Sequence, residues 1–322
     1  MISGRERVLL ALSHQKPDRV PFNFWMDRRL LQEYEQKHGH HHWRVTHCGA
    51  DVIEAFPNLN FPAGPTVEQE GTAWQTGPYF ENWQQVDEIS MPDPSDNSIY
   101  SVIKADINEF PDKAIFLDMV TSWGIIASMR TYERIYMDMY EYPEQFHKLS
   151  RRILDVQKIV VERACKMGIT ALYLMEDLAT SKGLSMSPAM IREFCLDYAR
   201  ELIFIAHSHN IPVLFHSDGM VADLVPILIK YGICAMNPLQ PSLNDAAVFK
   251  RQYGKNMAVY GGLDNCFIIP NGSVLDVRKH VRSVFDSLGS DGALIFSTHD
   301  IPIQTPAVNI QAMVDAIRSC VY

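Results

Sequence analysis

The feature that most restricts this chain is a repeated alternation: short, continuously apolar runs, each followed by a stretch of helical periodicity. Eight runs read as strands, at residues 20–24, 51–56, 114–117, 171–175, 212–215, 233–236, 257–260 and 293–297. They are apolar on both faces rather than at every second position, as parallel strands covered by helices are. From the fourth run onward the alternation is regular, with no internal repeat and no linker. Eight such units close on themselves more naturally than they open into two sheets. The expected fold is therefore α/β: a single (β/α)8 TIM barrel over residues 1–322, with its active site at the C-terminal ends of the strands.

Helix ends are readable. Ser187-Pro188 and Thr305-Pro306 each set a capping residue before a proline in the first turn, and a long helix over 143–167 stops at Gly168. The stretch at about 57–94 is different, rich in Pro, Gly, Asn and Trp and without periodicity. It is expected to be an irregular excursion above the sheet, either a lid or docking surface or a packed idle loop.

Chemistry in a barrel is placed just past the strand ends. There the chain offers Glu176 and Asp177 after the fourth run, His216 and Asp218 after the fifth, and Asn237 after the sixth. Asp264 follows the seventh run and His299 the eighth. Carboxylates and imidazoles gathered on one rim are costly unless they bind something or one another. Singly, each has a structural reading: Asp218 as a helix cap, His216 as a core histidine, Glu176 or Asp177 as a partner of Lys182 or Arg192. Jointly they read as a site, with Glu176, Asp177, His216 and His299 catalytic. His216, Asp218, His299 and Glu176 then form the expected metal set, and oxygen and nitrogen ligands without thiolate suit zinc acting on an oxygen. Trp25, Asn58, Asn237 and Asp264 are the expected substrate contacts, although aromatics such as Trp25, Phe56 and Trp123 also fit an ordinary core. The tract His38, His40, His41 and His42 reads as a solvated helix end, and methionines such as Met119, Met129, Met137 and Met139 as core filler.

A formal net charge of −9 argues against a nucleic-acid partner and against an anionic membrane surface. No apolar run of roughly 18 residues is present, and the six cysteines form no Cys-x-x-Cys pair. A reducing cytoplasm is the expected location. Nucleotide-loop and serine-nucleophile motifs are missing from the sequence.

Several of these residues together resemble the uroporphyrinogen decarboxylase superfamily. The resemblance rests on Lys16-Pro17-Asp18-Arg19-Val20-Pro21, Glu176-Asp177 with Ser187-Pro188, and His216-x-Asp218-Gly219. It continues through Gly261-Gly262-Leu263-Asp264 and His299 with Thr305-Pro306 and Asn309-Ile310. It independently implies a (β/α)8 barrel with its site at the strand C-termini. The decarboxylase branch holds its octacarboxylate tetrapyrrole with arginines from an RQAGRY-like motif and a central aspartate. Here those stretches read Phe24-Trp25-Met26-Asp27-Arg28-Arg29 and Asn58, and the HxCGN motif reads His216-Ser217-Asp218-Gly219-Met220.

The other branch contains cobalamin-dependent methyltransferases, some with His-x-Cys and a later Cys as zinc ligands. Asp218 stands at the first cysteine's position and His299 lies close to the second. The resemblance thus implies methyl transfer from a small methoxylated or methylated donor to cobalamin carried by a separate corrinoid protein, and a homodimer is compatible with it. Two other readings stay open: a decarboxylase of a pyrrole carboxylate, and a non-catalytic barrel that binds a corrinoid or porphyrinoid.

Overall fold

The computed structural model of the chain describes residues 2–69 and 72–322. Seven strands form one parallel sheet in chain order: β1 (Val52–Ala55), β2 (Ala114–Val120), β3 (Ala171–Met175), β4 (Val213–His216), β5 (Ala235–Asn237), β6 (Ala258–Gly262) and β7 (Leu294–Ser297). The first apolar run, 20–24, spans the gap between β7 and β1 with a single parallel bridge, Phe22 to Phe296. Asn23 N–H donates to the Phe296 carbonyl at 3.0 Å, and Asp51 N–H to the Phe22 carbonyl at 2.9 Å. The ring closes, but the first stave is one bridge rather than a strand. Pro21 has no N–H to extend a ladder there.

Side chains separate the two faces of this ring by the two-residue period of a strand. Val52, Ala114, Phe116, Ala171, Tyr173, Leu214, Ala235, Ala258, Tyr260, Ala293 and Ile295 pack together as the barrel interior. Their chain neighbours Ile53, Ile115, Leu117, Leu172, Phe215 and Phe296 belong to the larger core between strands and helices. Both faces are apolar because both are buried. The helix Pro143–Met167 shows how the outer layer is built: a proline in its first turn, Phe146, Leu149, Ile153, Val160 and Ala164 on one buried stripe, and a left-handed Gly168 at φ 96° as its stop.

The bottom of the barrel is stoppered by the helix Gly4–Leu12, whose Val8, Ala11 and Leu12 join the interior cluster. An ion network fastens it. Arg7 reaches Asp51 at 2.6 Å and Asp18 at 2.6 Å, Arg19 reaches Asp51 at 2.7 Å, and Phe22 N–H donates to Asp51 at 3.1 Å. Asp51 is fully buried and fully satisfied, which is what makes a carboxylate tolerable at that depth.

Within 57–94 lie an antiparallel hairpin, Thr66–Gln69 with Thr72–Gln75, and a short 3-10 turn, Trp83–Asp87. Buried Trp83 and the Arg152 side chain, which donates to the Ile89 carbonyl at 2.7 Å, fasten the end of the stretch to the helical layer. Among the described residues, no helix is long and apolar enough to cross a membrane.

Candidate active site at the barrel mouth

Continuing the period of two one step above the apolar interior gives a layer that is mostly polar: Asn23, Glu54, Asp118, Met175, His216 and Asn237. Beneath it lie three interior aromatic rings, Phe116, Tyr173 and Tyr260, with centroids 5.7–6.4 Å apart. The two phenol groups hold the polar layer in place. Tyr173 O–H donates to Asn237 Oδ1 at 2.7 Å, and Asn237 Nδ2 donates to the Tyr260 carbonyl at 2.7 Å. With the amide orientation fixed by that carbonyl, His216 Nδ1, 2.7 Å from Asn237 Oδ1, must be the protonated nitrogen. Its Nε2 lone pair is then free to face the mouth.

Around that lone pair the structure brings together His216, Asp218 and His299, whose ligating atoms all lie within 4.8 Å of one another. Asp218 Oδ2 is 3.2 Å from His299 Nε2, while its Oδ1 is buried with no hydrogen-bond partner. Burial pushes the Asp218 carboxyl up, against the pull of the two histidines. The backbone fixes all three. Ser217 Oγ accepts from Leu178 N–H and Ala179 N–H, and Asp218 N–H donates to Asp177 at 3.0 Å. Gly219 sits at φ 94°, where a Cβ would fall 2.6 Å from the Thr180 carbonyl oxygen. His299 is held by reciprocal bonds between Thr298 and Trp25, and by Asn265 Nδ2 donating to the Asp300 carbonyl at 2.8 Å. Two imidazoles and a carboxylate with an unused oxygen fit a zinc ion, leaving a fourth position for substrate.

Glu176 does not join this set. Met175 takes the inward position at the end of β3, so the next side chain turns outward to the junction of β2 with the helix Ser122–Arg130. Its Oε1 accepts from Thr121 N–H at 2.8 Å, Gly124 N–H at 3.1 Å and the Thr121 hydroxyl. Burial outweighs these bonds and pushes its carboxyl up to about 8. Asp177, exposed beside it, is 3.6 Å from His216 Nε2.

Two expected substrate contacts are placed elsewhere. Asn58 donates to the Ser98 carbonyl and to Ser101 Oγ, both at 3.1 Å, tying down the excursion. Asp264 accepts from Cys266 N–H and Phe267 N–H at 2.9 and 2.8 Å, a turn cap. Asn237 positions His216, as described above. Trp25 stays at the mouth, its indole N–H donating to Glu54 at 3.1 Å and its ring edge-on to Phe56. Trp123 is core.

Two further acids, outside the set expected from the sequence, stand in the polar layer. Glu54 accepts from Tyr260 O–H at 2.5 Å, Asn23 Nδ2 at 2.9 Å and Trp25. Asp118 is buried with neither oxygen partnered. Burial pushes both carboxyls up, and the Glu54 charge raises Asp118 further. Their signal was available: Glu54 interrupts an apolar run, and Asp118 stands two residues after interior Phe116, in a strand that extends past Leu117 to Val120.

Asp118, Glu176, Asp177 and His216 open on a cavity of about 500 Å³, lined also by Phe56, Phe61 and Tyr132 among others, with no lysine or arginine among its described lining residues. The volume is that of a small-molecule site.

The family model for uroporphyrinogen decarboxylase (URO-D) matches residues 67–320 of this chain. The chain belongs to that family. It is 26% identical over 181 residues to the uroporphyrinogen decarboxylase of Syntrophotalea carbinolica, covering 56% of this chain and 50% of that one. It is 21% identical over 236 residues to that of Aliarcobacter butzleri, covering 69% and 63%. The matches therefore span about half to two thirds of the length of these relatives. Among solved structures, a methyltransferase from Methanosarcina mazei superposes with a TM-score of 0.75 over 99% of both chains, at 14% sequence identity. At that identity the likeness is one of fold, and it extends over the whole barrel of this family member.

Proposed function

We propose that this URO-D family member is a methyltransferase component that takes a methyl group from a small methoxylated or methylated donor and passes it to cobalamin on a separate corrinoid protein. The observation that carries the reading is the cavity itself. It sets His216, one member of the oxygen-and-nitrogen triad, beside the buried acids Asp118 and Glu176 and presents no lysine or arginine among its described lining residues. A substrate with many carboxylates would find no lysine or arginine among the described lining residues to balance its charge, at a cost of several kcal/mol.

His216, Asp218 and His299 would hold zinc, which supplies Lewis acidity at the leaving oxygen when bound. The chain's own groups do the rest. The Tyr260 carbonyl, Asn237 and His216 Nδ1–H form a chain of hydrogen bonds that fixes the imidazole's orientation, with Nε2 on the side of the triad. Glu176, which holds a proton at neutral pH and lines the same cavity, would give that proton to the departing alkoxide or phenolate. Phe56 and Phe61 supply the apolar wall that excludes water from the methyl carbon.

The test is methyl transfer to free cob(I)alamin from a panel of methoxylated aromatics and methylated amines, followed by the cobalamin spectrum. At least one donor is expected to react, and His216→Ala is expected to lose that reaction together with one equivalent of zinc. Decarboxylation of uroporphyrinogen, with no methyl transfer from any donor, would overturn the proposal.

A further inference from the structure

At the opposite end of the barrel lies a second cluster with the atoms of a metal site. His41, His42 and Asp106 also place one ligating atom each within 4.8 Å of one another. They come from two separate pieces of chain. The histidines form the turn between the helices Arg28–His38 and Trp43–Thr46, upstream of the start of β1. Asp106 lies in the last turn of the helix Ser101–Glu109, just upstream of β2. Both pieces therefore lie on the connections that lead into the N-terminal ends of β1 and β2.

The local bonding sorts the four neighbouring histidines into roles. His40 Nδ1 accepts from His42 N–H at 2.9 Å, so its proton is on Nε2, which donates to Glu109 at 2.9 Å. His40 has no lone pair to give and acts as a brace. His42 Nε2 lies 2.7 Å from Asp106 Oδ1, and its ring packs edge-on against Phe110 with centroids 5.4 Å apart. The His41 ring lies 4.1 Å from that of His42 and is exposed, on the side from which an ion would arrive. His38 turns away to stack on Trp43.

The observation that points to a ligand is on Asp106. This residue is 2% exposed, and its Oδ2 is buried with no hydrogen-bond partner. An orphaned carboxylate oxygen at that depth costs free energy unless something positive meets it. His42, among the described residues the one neighbour hydrogen-bonded to that carboxylate, uses only the other oxygen.

We propose that His41, His42 and Asp106 bind a divalent transition metal of the zinc type at the N-terminal face, clamping the His40–His42 turn onto the helix Ser101–Glu109. Two imidazole nitrogens and one carboxylate oxygen are a zinc donor set, with water completing the shell on the exposed side. The site does not touch the cavity and would act on stability, by tying a loop to a helix before the first strand of the sheet.

The experiment uses full-length protein free of any affinity tag. In a His216→Ala/His299→Ala background, which removes the mouth triad, equilibrium dialysis against Zn²⁺ is expected to retain one equivalent per chain, and Co²⁺ to give the visible bands of a low-coordinate nitrogen–oxygen site. Adding His41→Ala, an exposed position, or the isosteric Asp106→Asn is expected to remove that equivalent. Each is also expected to abolish the zinc-dependent rise in Tm while far-ultraviolet dichroism stays unchanged. Retention of no zinc by the mouth variant, or retention undiminished by His41→Ala and Asp106→Asn, would overturn the proposal. Should the mouth variant fail to fold, the same two substitutions in the native chain are read instead: loss of one equivalent supports the site, and unchanged stoichiometry and Tm overturn it. Loss of the mouth function alone leaves this site standing, and the reverse also holds.

Discussion

Replacing Glu176 with glutamine should remove a specific part of the pH dependence of stability. In the folded chain this carboxyl holds its proton up to about pH 8, against an ordinary value of 4.5. Between those values the folded state binds more protons than the unfolded one, so stability falls as pH rises through that window. At about 1.4 kcal/mol per pKa unit, this one group removes roughly 3–4 kcal/mol of stability between pH 5 and pH 8. The figure is an upper bound, because a buried carboxylate draws in water or relaxes when it ionises. Glutamine keeps an oxygen to accept from Thr121 N–H and Gly124 N–H and has nothing to titrate. The assay is urea unfolding of both proteins at pH 5, 6, 7 and 8, followed by tryptophan fluorescence. The variant should gain on the native chain as pH rises, with most of the gain above pH 6. Asp118, Asp218 and Asp300 are also pushed up by burial, but they contribute to both proteins and drop out of the difference. Two parallel stability curves would refute the assignment of Glu176 as a buried, protonated acid.

Three further outcomes are expected. Asp51→Ala strands Arg7 and Arg19 beneath the barrel and should cost about 3–5 kcal/mol in thermal or chemical unfolding; a loss below about 1 kcal/mol would mean that water already serves those arginines. Asn237→Leu removes the acceptor that orients His216 and should weaken zinc at the mouth by about 10–100-fold in chelator competition. Unchanged affinity would refute the proton placement on Nδ1. Gly219→Ala forces a Cβ toward the Thr180 carbonyl and should displace Asp218, lowering zinc affinity at the mouth while the zinc retained at the N-terminal face stays the same.

Much of the architecture is legible in the residues because burial on both faces leaves a local mark. The 171–175 run is a strand over those residues, and the 143–167 helix begins at its proline and stops at its glycine. Ser187 caps a helix as expected, its side chain accepting from Met190 N–H. The first run reads as a strand by hydropathy but makes only a bridge, since Pro21 denies it a ladder. Methionine is less predictable: Met119, Met129 and Met139 are core, whereas Met137 is 56% exposed. The histidine tract shows the same limit. Nothing near it in sequence announces that Asp106, over sixty positions away, lies against His42.

What this chain determines by itself is the set of local periods: inward and outward positions in each strand, the start of one long helix at Pro143 and its stop at Gly168, and polar residues clustered at the strand ends. Those follow from backbone geometry and from the cost of leaving apolar surface in water, and both act within a few residues. Which polar residues share a site is decided only when the ring closes. His216, Asp218 and His299 meet because β4 and the β7 loop point to one mouth, whereas Glu176, one residue past an inward Met175, is turned away to Thr121. Asp118 becomes a buried, unpartnered acid for the same reason. Desolvation and pairing depend on neighbours that are distant in the chain, and only the closed barrel supplies them.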